Sequence, residues 1–182
     1  MARKNKSNQL SREFLLKAYV TLMHDKPHSS ISITDITEAA GVSRMAYYRN
    51  YSSKEEILTQ YLDEIGNSIV SPMNDYLPVP KSMTEYIVLL FKRLASDSRE
   101  YGYNLGESLV RAGLGDLLLE TVMKNLLFFF PPKTARDTAN AALAMGAFYG
   151  LFMQWSKDGQ EDNVETLAAT LAEFLAEHSL FI

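Results

Sequence analysis

The chain has 182 residues, with 18 Lys+Arg, 22 Asp+Glu, no Cys and a net charge of −4. Without a thiol there is no disulfide framework, no Fe–S or thiolate zinc site and no cysteine nucleophile, and His24, His28 and His178 lack metal-ligand spacing. Nine Gly and six Pro are roughly two thirds of ordinary usage, so breakers are scarce and an all-α fold is expected.

Helical periodicity runs through nearly the whole chain. Residues 1–6 are charged, but no apolar stretch follows them, so no secretion signal is expected and the expected compartment is the cytoplasm. A first helix is predicted with Leu15, Ala18, Leu22 and Met23 on one face, stopped by Pro27. Ser32-Ile-Thr-Asp35 is a capping-box variant. It opens a short second helix with Ile36, Ala39 and Ala40, closed by Gly41 in a left-handed turn. A third helix starts near Ser43 and holds Ala46, Tyr47 and Tyr48. Ser52 and Glu55 have the spacing of another cap, opening a long helix through Ile57, Leu58, Tyr61, Leu62, Ile65 and Ile69.

Pro72, Pro78 and Pro80 then break the chain. A boundary is expected there, between a head (1–52, with a connecting helix over 53–71) and a body (72–182). Met83, Tyr86, Ile87, Leu90, Phe91 and Leu94 give the next amphipathic helix, and Gly102 and Gly106 loosen the segment after it. Further helices are predicted over 117–129, ended by Pro131-Pro132, and over 134–156. The last holds Val164, Leu167, Ala168, Leu171, Phe174 and Leu175. Residues 138–156 carry no charge, but Thr138, Asn140, Gln154 and Ser156 interrupt them. The apolar run falls short of the about 20 residues that a membrane span requires, so a buried interface helix is expected.

The charge is unevenly placed. Residues 1–51 hold eight basic and four acidic side chains, leaving +4 there and −8 in 52–182. That split describes a small polyanion-binding head on an acidic body. Three short helices, the second and third joined by a glycine turn, describe a helix-turn-helix. The small Ala39, Ala40 and Ala46 allow a close crossing, and Val42 and Tyr47 fill the wedge. The outer face of the third helix is left with Ser43, Arg44, Met45, Tyr48, Arg49 and Asn50, where a recognition helix enters the major groove.

The run Ser32-Ile-Thr-Asp-Ile-Thr-Glu-Ala-Ala-Gly-Val-Ser-Arg-Met-Ala-Tyr-Tyr-Arg-Asn-Tyr-Ser-Ser-Lys-Glu-Glu-Ile-Leu58 closely resembles the signature of TetR/AcrR-family transcriptional regulators. By that resemblance Tyr48 presents its phenol to a DNA phosphate, Lys54 contacts another, and Thr34 binds the backbone. Ser43, Arg44, Met45 and Ala46 match the base-facing start of the recognition helix, and Tyr47 matches a buried aromatic. Ser32, Arg49 and Asn50 complete the expected DNA-binding set. Arg44 is the expected guanine reader. Met45 and Ala46 either touch a thymine methyl or are neutral filler. Arg3, Lys4 and Lys6 form either a disordered solubilising arm or one that reaches the backbone or minor groove. Pro27 departs from a frequent Gly, and Asn50-Tyr51 from a frequent His-Phe pair.

The resemblance further implies a homodimer that binds a pseudo-palindromic double-stranded operator, represses, and is released by a small-molecule effector in the body. The alternative is a TetR-like adaptor or coactivator controlled by a protein partner. Ala135, Ala139, Ala142, Gly146 and Gly150 make a small-residue stripe that is expected to form the dimer face together with Leu167, Leu171 and Phe174. Tyr86, Phe91, Tyr101, Tyr103, Met123 and Phe128 are expected to line a cavity for an apolar or aromatic effector, with few buried charges between residues 86 and 130. The sequence has no G-x-S-x-G, H-E-x-x-H or P-loop, so no enzyme, cofactor or metal is expected.

Overall fold

The computed structural model describes residues 2–71, 80–101, 105–158 and 164–177, with side chains for 8–71, 80–97, 105–157 and 164–177. Among them every long element is a helix. In chain order these are α1 (Ala2–Asp25), a 3-10 turn (His28–Ser30), α2 (Ile33–Ala40), α3 (Arg44–Tyr48) and α4 (Glu55–Val70). α5 (Met83–Tyr101), α6 (Leu105–Ala112), α7 (Gly115–Phe129), α8 (Ala135–Asp158) and α9 (Val164–Glu177) follow. None of these helices is long and apolar enough to cross a membrane.

α1 extends well beyond its apolar face. No Gly or Pro interrupts residues 2–26, and adding residues to a formed helix is cheap compared with nucleating it. The stretch that carries Arg3, Lys4 and Lys6 therefore has helical backbone, and the disordered-arm expectation is corrected.

The capping box of α2 forms as its sequence predicts. Ser32 Oγ accepts from Asp35 N–H at 3.1 Å, and the Asp35 carboxylate accepts from Ser32 N–H at 2.8 Å. Those Ser32 groups hold the Asp35 pKa below the usual range. Its contribution to stability is thus present at neutral pH and lost as pH falls through that lowered pKa. A Ser32→Ala variant is expected to lose about 1 kcal/mol. Its melting-temperature deficit against the parent should shrink in acid as Asp35 protonates. Gly41 closes α2 at φ 62°, ψ 28°.

Two expectations for the head shift by one residue. Ile36 and Thr37, rather than the alanines, are the buried side chains of α2, while Ala39 is exposed. Thr37 tolerates burial because its hydroxyl donates to Thr34 O at 3.1 Å. At α4 the N-cap residue is Lys54, which makes no side-chain cap; just before it, Ser53 Oγ accepts from Glu56 N–H at 3.3 Å and Glu56 accepts from Ser52 N–H at 2.5 Å. Glu55 is thereby released for another role.

α1 and α4 belong to both halves of the molecule. α1 packs on α2 and α3 of the head and on α6 of the body, while α4 packs on α1, α5 and α7. The body core is aromatic. Phe91 meets Phe148, Phe152 and Trp155 edge-on at 6.3–6.4 Å, and Phe148 stacks on Phe152 at 5.9 Å. α6, which the sequence reading left unassigned, crosses α8 at Gly106, where a Cβ would stand 2.2 Å from Ser156 Oγ and 2.8 Å from its Cβ. Ser156 is buried, and a change of its rotamer would move the hydroxyl but not the Cβ. Gly106→Ala is expected to destabilise by about 1–3 kcal/mol through overpacking, read as a lower melting temperature.

Candidate nucleic-acid interface

The reading helix is short and held from beneath. Ser43 caps α3, its Oγ accepting from Ala46 N–H at 3.1 Å. Tyr47 and Ala46 face inward; burial, with Glu55 nearby, pushes the Tyr47 phenol up to about 12. With that side packed, Arg44, Met45, Tyr48 and Arg49 are left exposed on the other. Two of them, Met45 and Tyr48, are large apolar groups that water alone covers poorly. Arg44 is already positioned: its Nη2 donates to Thr34 Oγ1 at 2.6 Å, bracing the guanidinium against α2.

The other expected contacts are placed differently. Ala46 is buried, so its methyl does not face a base. The Ser32 hydroxyl is spent on the cap of α2, and Thr34 on Arg44. Asn50 folds back, its Nδ2 donating to Ala46 O at 2.8 Å, and so closes α3 instead of projecting from it. Lys54 is half-buried, and its ammonium donates to His28 O at 2.5 Å and Ile31 O at 2.6 Å. Two of its three donors therefore hold the turn before α2, which makes the residue a clamp first.

Sequence reasoning missed the partner of that clamp. The Tyr19 hydroxyl lies 2.6 Å from His28 Nδ1, and His28 Nε2 lies 2.6 Å from Glu55 Oε1. A neutral ring accepts at Nδ1 and donates at Nε2, satisfying all three groups. Desolvation works against the Glu55 carboxylate, but its own backbone N–H, Ser53 and His28 outweigh that and hold its pKa low. Together Lys54 and Glu55 fasten the start of α4 to the turn between α1 and α2. The turn before α2 is thus tied to α4, which runs on into the body.

In the body, Tyr86 is wholly buried, and its hydroxyl has no hydrogen-bond partner among the described residues. It points to Gly66, where a Cβ would stand 2.8 Å from the hydroxyl and 3.0 Å from Asn125 Nδ2. Burial, reinforced by Asp63, raises the Tyr86 pKa. Phe129 and Phe130 lie 5.8 Å from the Tyr86 ring, whereas Phe128 is 76 % exposed, so its expected place in a cavity is corrected. Phe91 belongs to the aromatic core, and Met123 is half-buried. The Tyr101 side chain and Tyr103 lie outside the described residues. The expectation of few buried charges meets an exception in Asp97, which is buried and held by Arg93 Nε at 2.9 Å and the Tyr61 hydroxyl at 2.9 Å. The i,i+4 spacing of Arg93 and Asp97 was the available signal.

Residues 15–61 match the model of the bacterial regulatory proteins of the tetR family. The chain is 36 % identical over 53 residues to the HTH-type transcriptional regulator EthR of Mycobacterium tuberculosis, covering 29 % of this chain and 24 % of that one. It is 24 % identical over 71 residues to the dhaKLM operon transcriptional activator DhaS of Lactococcus lactis, covering 39 % and 38 %. These matches span from about a quarter to under two fifths of the relatives' length. The fold extends the likeness to the body. A putative TetR-family regulator from Syntrophomonas wolfei superposes with a TM-score of 0.59 at 18 % identity, covering 96 % of this chain and 97 % of that one. The dihydroxyacetone kinase operon activator DhaS gives 0.56 at 16 %, covering 92 % and 95 %. Residues 15–61 thus match the head of the tetR family's bacterial regulatory proteins, and the chain as a whole shares the fold of solved TetR-family structures.

Proposed function

We propose that the chain acts as a homodimer on a pseudo-palindromic operator, as a ligand-responsive repressor. The observation that carries the reading is the exposed face of α3, where Arg44, Met45, Tyr48 and Arg49 project from a helix whose other side is packed. Dimerisation is supported by the surface of α8 and α9. Ala139, Ala142, Gly146 and Gly150 are exposed, Leu143 beside them is 60 % exposed, and Phe174 is 42 % exposed. Contiguous apolar surface of this kind marks an interaction face. Leu167 is half-buried, and Leu171 is buried within its own chain, so Leu171 supports the face from below and offers a partner nothing.

The Tyr86 hydroxyl, unpartnered among the described residues, supports an effector site between α4, α5 and α7, for an apolar or aromatic compound carrying one hydrogen-bonding group. An effector that favours a head spacing unsuited to the operator lowers DNA affinity by that difference alone. Selection of bound duplexes from a random pool, followed by footprinting, tests the reading. Two protected half-sites about 34–36 Å apart are expected. A single unpaired site, or no selected sequence, counts against it. Activation is the second reading, favoured by the likeness to DhaS, described as an operon activator. A reporter driven from the selected site separates the two signs.

A further inference from the structure

Where the head meets the body, α1, α4 and α5 leave a half-open cleft of about 270 Å³. Its floor is formed by the buried Leu16, Ile57 and Ile65. Arg12 and Glu13 of α1, Glu64 of α4 and Arg93 of α5 stand around it. Neither the reading face of α3 nor Tyr86 takes part.

The charged groups are not equally fixed. Arg12 donates from Nη2 to Gln60 Oε1 at 2.9 Å, from Nε to the Tyr51 hydroxyl at 3.4 Å, and lies 5.9 Å from the Tyr51 ring centroid. It also pairs with Glu64, whose side chain is 59 % exposed against 30 % for Arg12. Across the cleft, Arg93 is anchored to the buried Asp97. Both guanidiniums are thus held in place, while the Glu64 carboxylate is mostly hydrated already and loses little by leaving. Glu13 is exposed and equally able to turn to water. A planar carboxylate arriving at Arg12 meets a preset donor fork on a half-desolvated wall, where such pairs are strongest. The volume lies below the roughly 300–1,000 Å³ of drug-sized pockets, which restricts the guest to about one ring.

We propose that this cleft binds a small organic monocarboxylate with a single flat ring. The carboxylate replaces Glu64 on Arg12, and the ring lies on the floor of Leu16, Ile57 and Ile65. Since the Arg12–Glu64 pair ties α1 to α4, occupancy exchanges a link between the two helices that carry the head for a contact with the guest. The site stands apart from the operator and effector readings and survives the failure of either.

Benzoate is the probe, with benzamide and benzylamine as its neutral and cationic counterparts, on the full chain without DNA. Benzoate is expected to raise the melting temperature saturably and to give a calorimetric isotherm; its counterparts are expected to do neither. Glu64→Gln removes the competing carboxylate and should tighten benzoate at least threefold. Arg12→Gln should abolish binding, and Tyr86→Phe should leave it unchanged. Equal benzoate affinity in the parent and Glu64→Gln overturns the proposal, as does preference for benzylamine or loss of binding in Tyr86→Phe. Should Arg12→Gln fail to fold, the Glu64→Gln comparison decides alone.

Discussion

An Arg44→Ala variant is expected to bind the selected operator about 10- to 100-fold more weakly, with relaxed preference at one base pair per half-site. A bidentate guanidinium–guanine contact is worth about 1–3 kcal/mol of discrimination. Arg44 is suited to that role because Thr34 Oγ1 already orients it, so less side-chain freedom is lost when the base replaces water. The variant is expected to leave the fold alone: Arg44 is exposed, and its hydrogen-bond partner Thr34 is itself part-exposed on α2. Fluorescence-anisotropy titration of operator and single-base variants at fixed salt checks the effect, with unfolding curves as the control. Unchanged affinity, or uniform weakening across all sequences, would remove Arg44 from the base-reading set and leave it a phosphate contact.

The head was legible because its signals are local. A cap, a glycine in the left-handed region and an inward Tyr47 are each set within a few residues, and each is found in the structure. What escaped the sequence depended on distant partners. Lys54 clamps carbonyls 23 and 26 residues away, and nothing in its neighbourhood announces them. His28 reads as a loop histidine until Tyr19 and Glu55 come within hydrogen-bond distance of its two nitrogens. Asn50 looks like a contact at the end of a reading helix, yet an amide one turn after a carbonyl also closes the helix on itself, and that is what it does.

Helical phase was the second source of error. In α2 the pattern Ile36–Ala39–Ala40 competes with Ile36–Thr37, and a satisfied hydroxyl let the polar residue go inside. Three consecutive phenylalanines give no phase at all, and the structure turns Phe129 and Phe130 toward Tyr86 while Phe128 faces water. The stripe on α8 was easier to read, because glycine and alanine at spacings of three and four have one face whatever surrounds them. Even so, the largest apolar group beside it, Leu143, was passed over.

Gly146→Leu is expected to separate folding from assembly. Among the described residues of one chain a Cβ at Gly146 meets nothing within 4 Å, and leucine favours a helix over glycine by somewhat under about 1 kcal/mol. The subunit should therefore keep its helicity and melt no lower at concentrations where it is already monomeric. In a two-fold interface built on this stripe, the added side chain enters the closest approach of the two helices from both subunits. Overpacking of that kind costs typically about 1–3 kcal/mol, or about 5- to 150-fold in the dimer dissociation constant. Sedimentation across a concentration series, paired with circular dichroism, measures both arms. Operator binding should fall with assembly, since a single head makes half the contacts. A variant that stays dimeric with unchanged affinity would place the interface elsewhere on the body, and one that unfolds as a monomer would show that the open space beside Gly146 belongs to the chain's own packing.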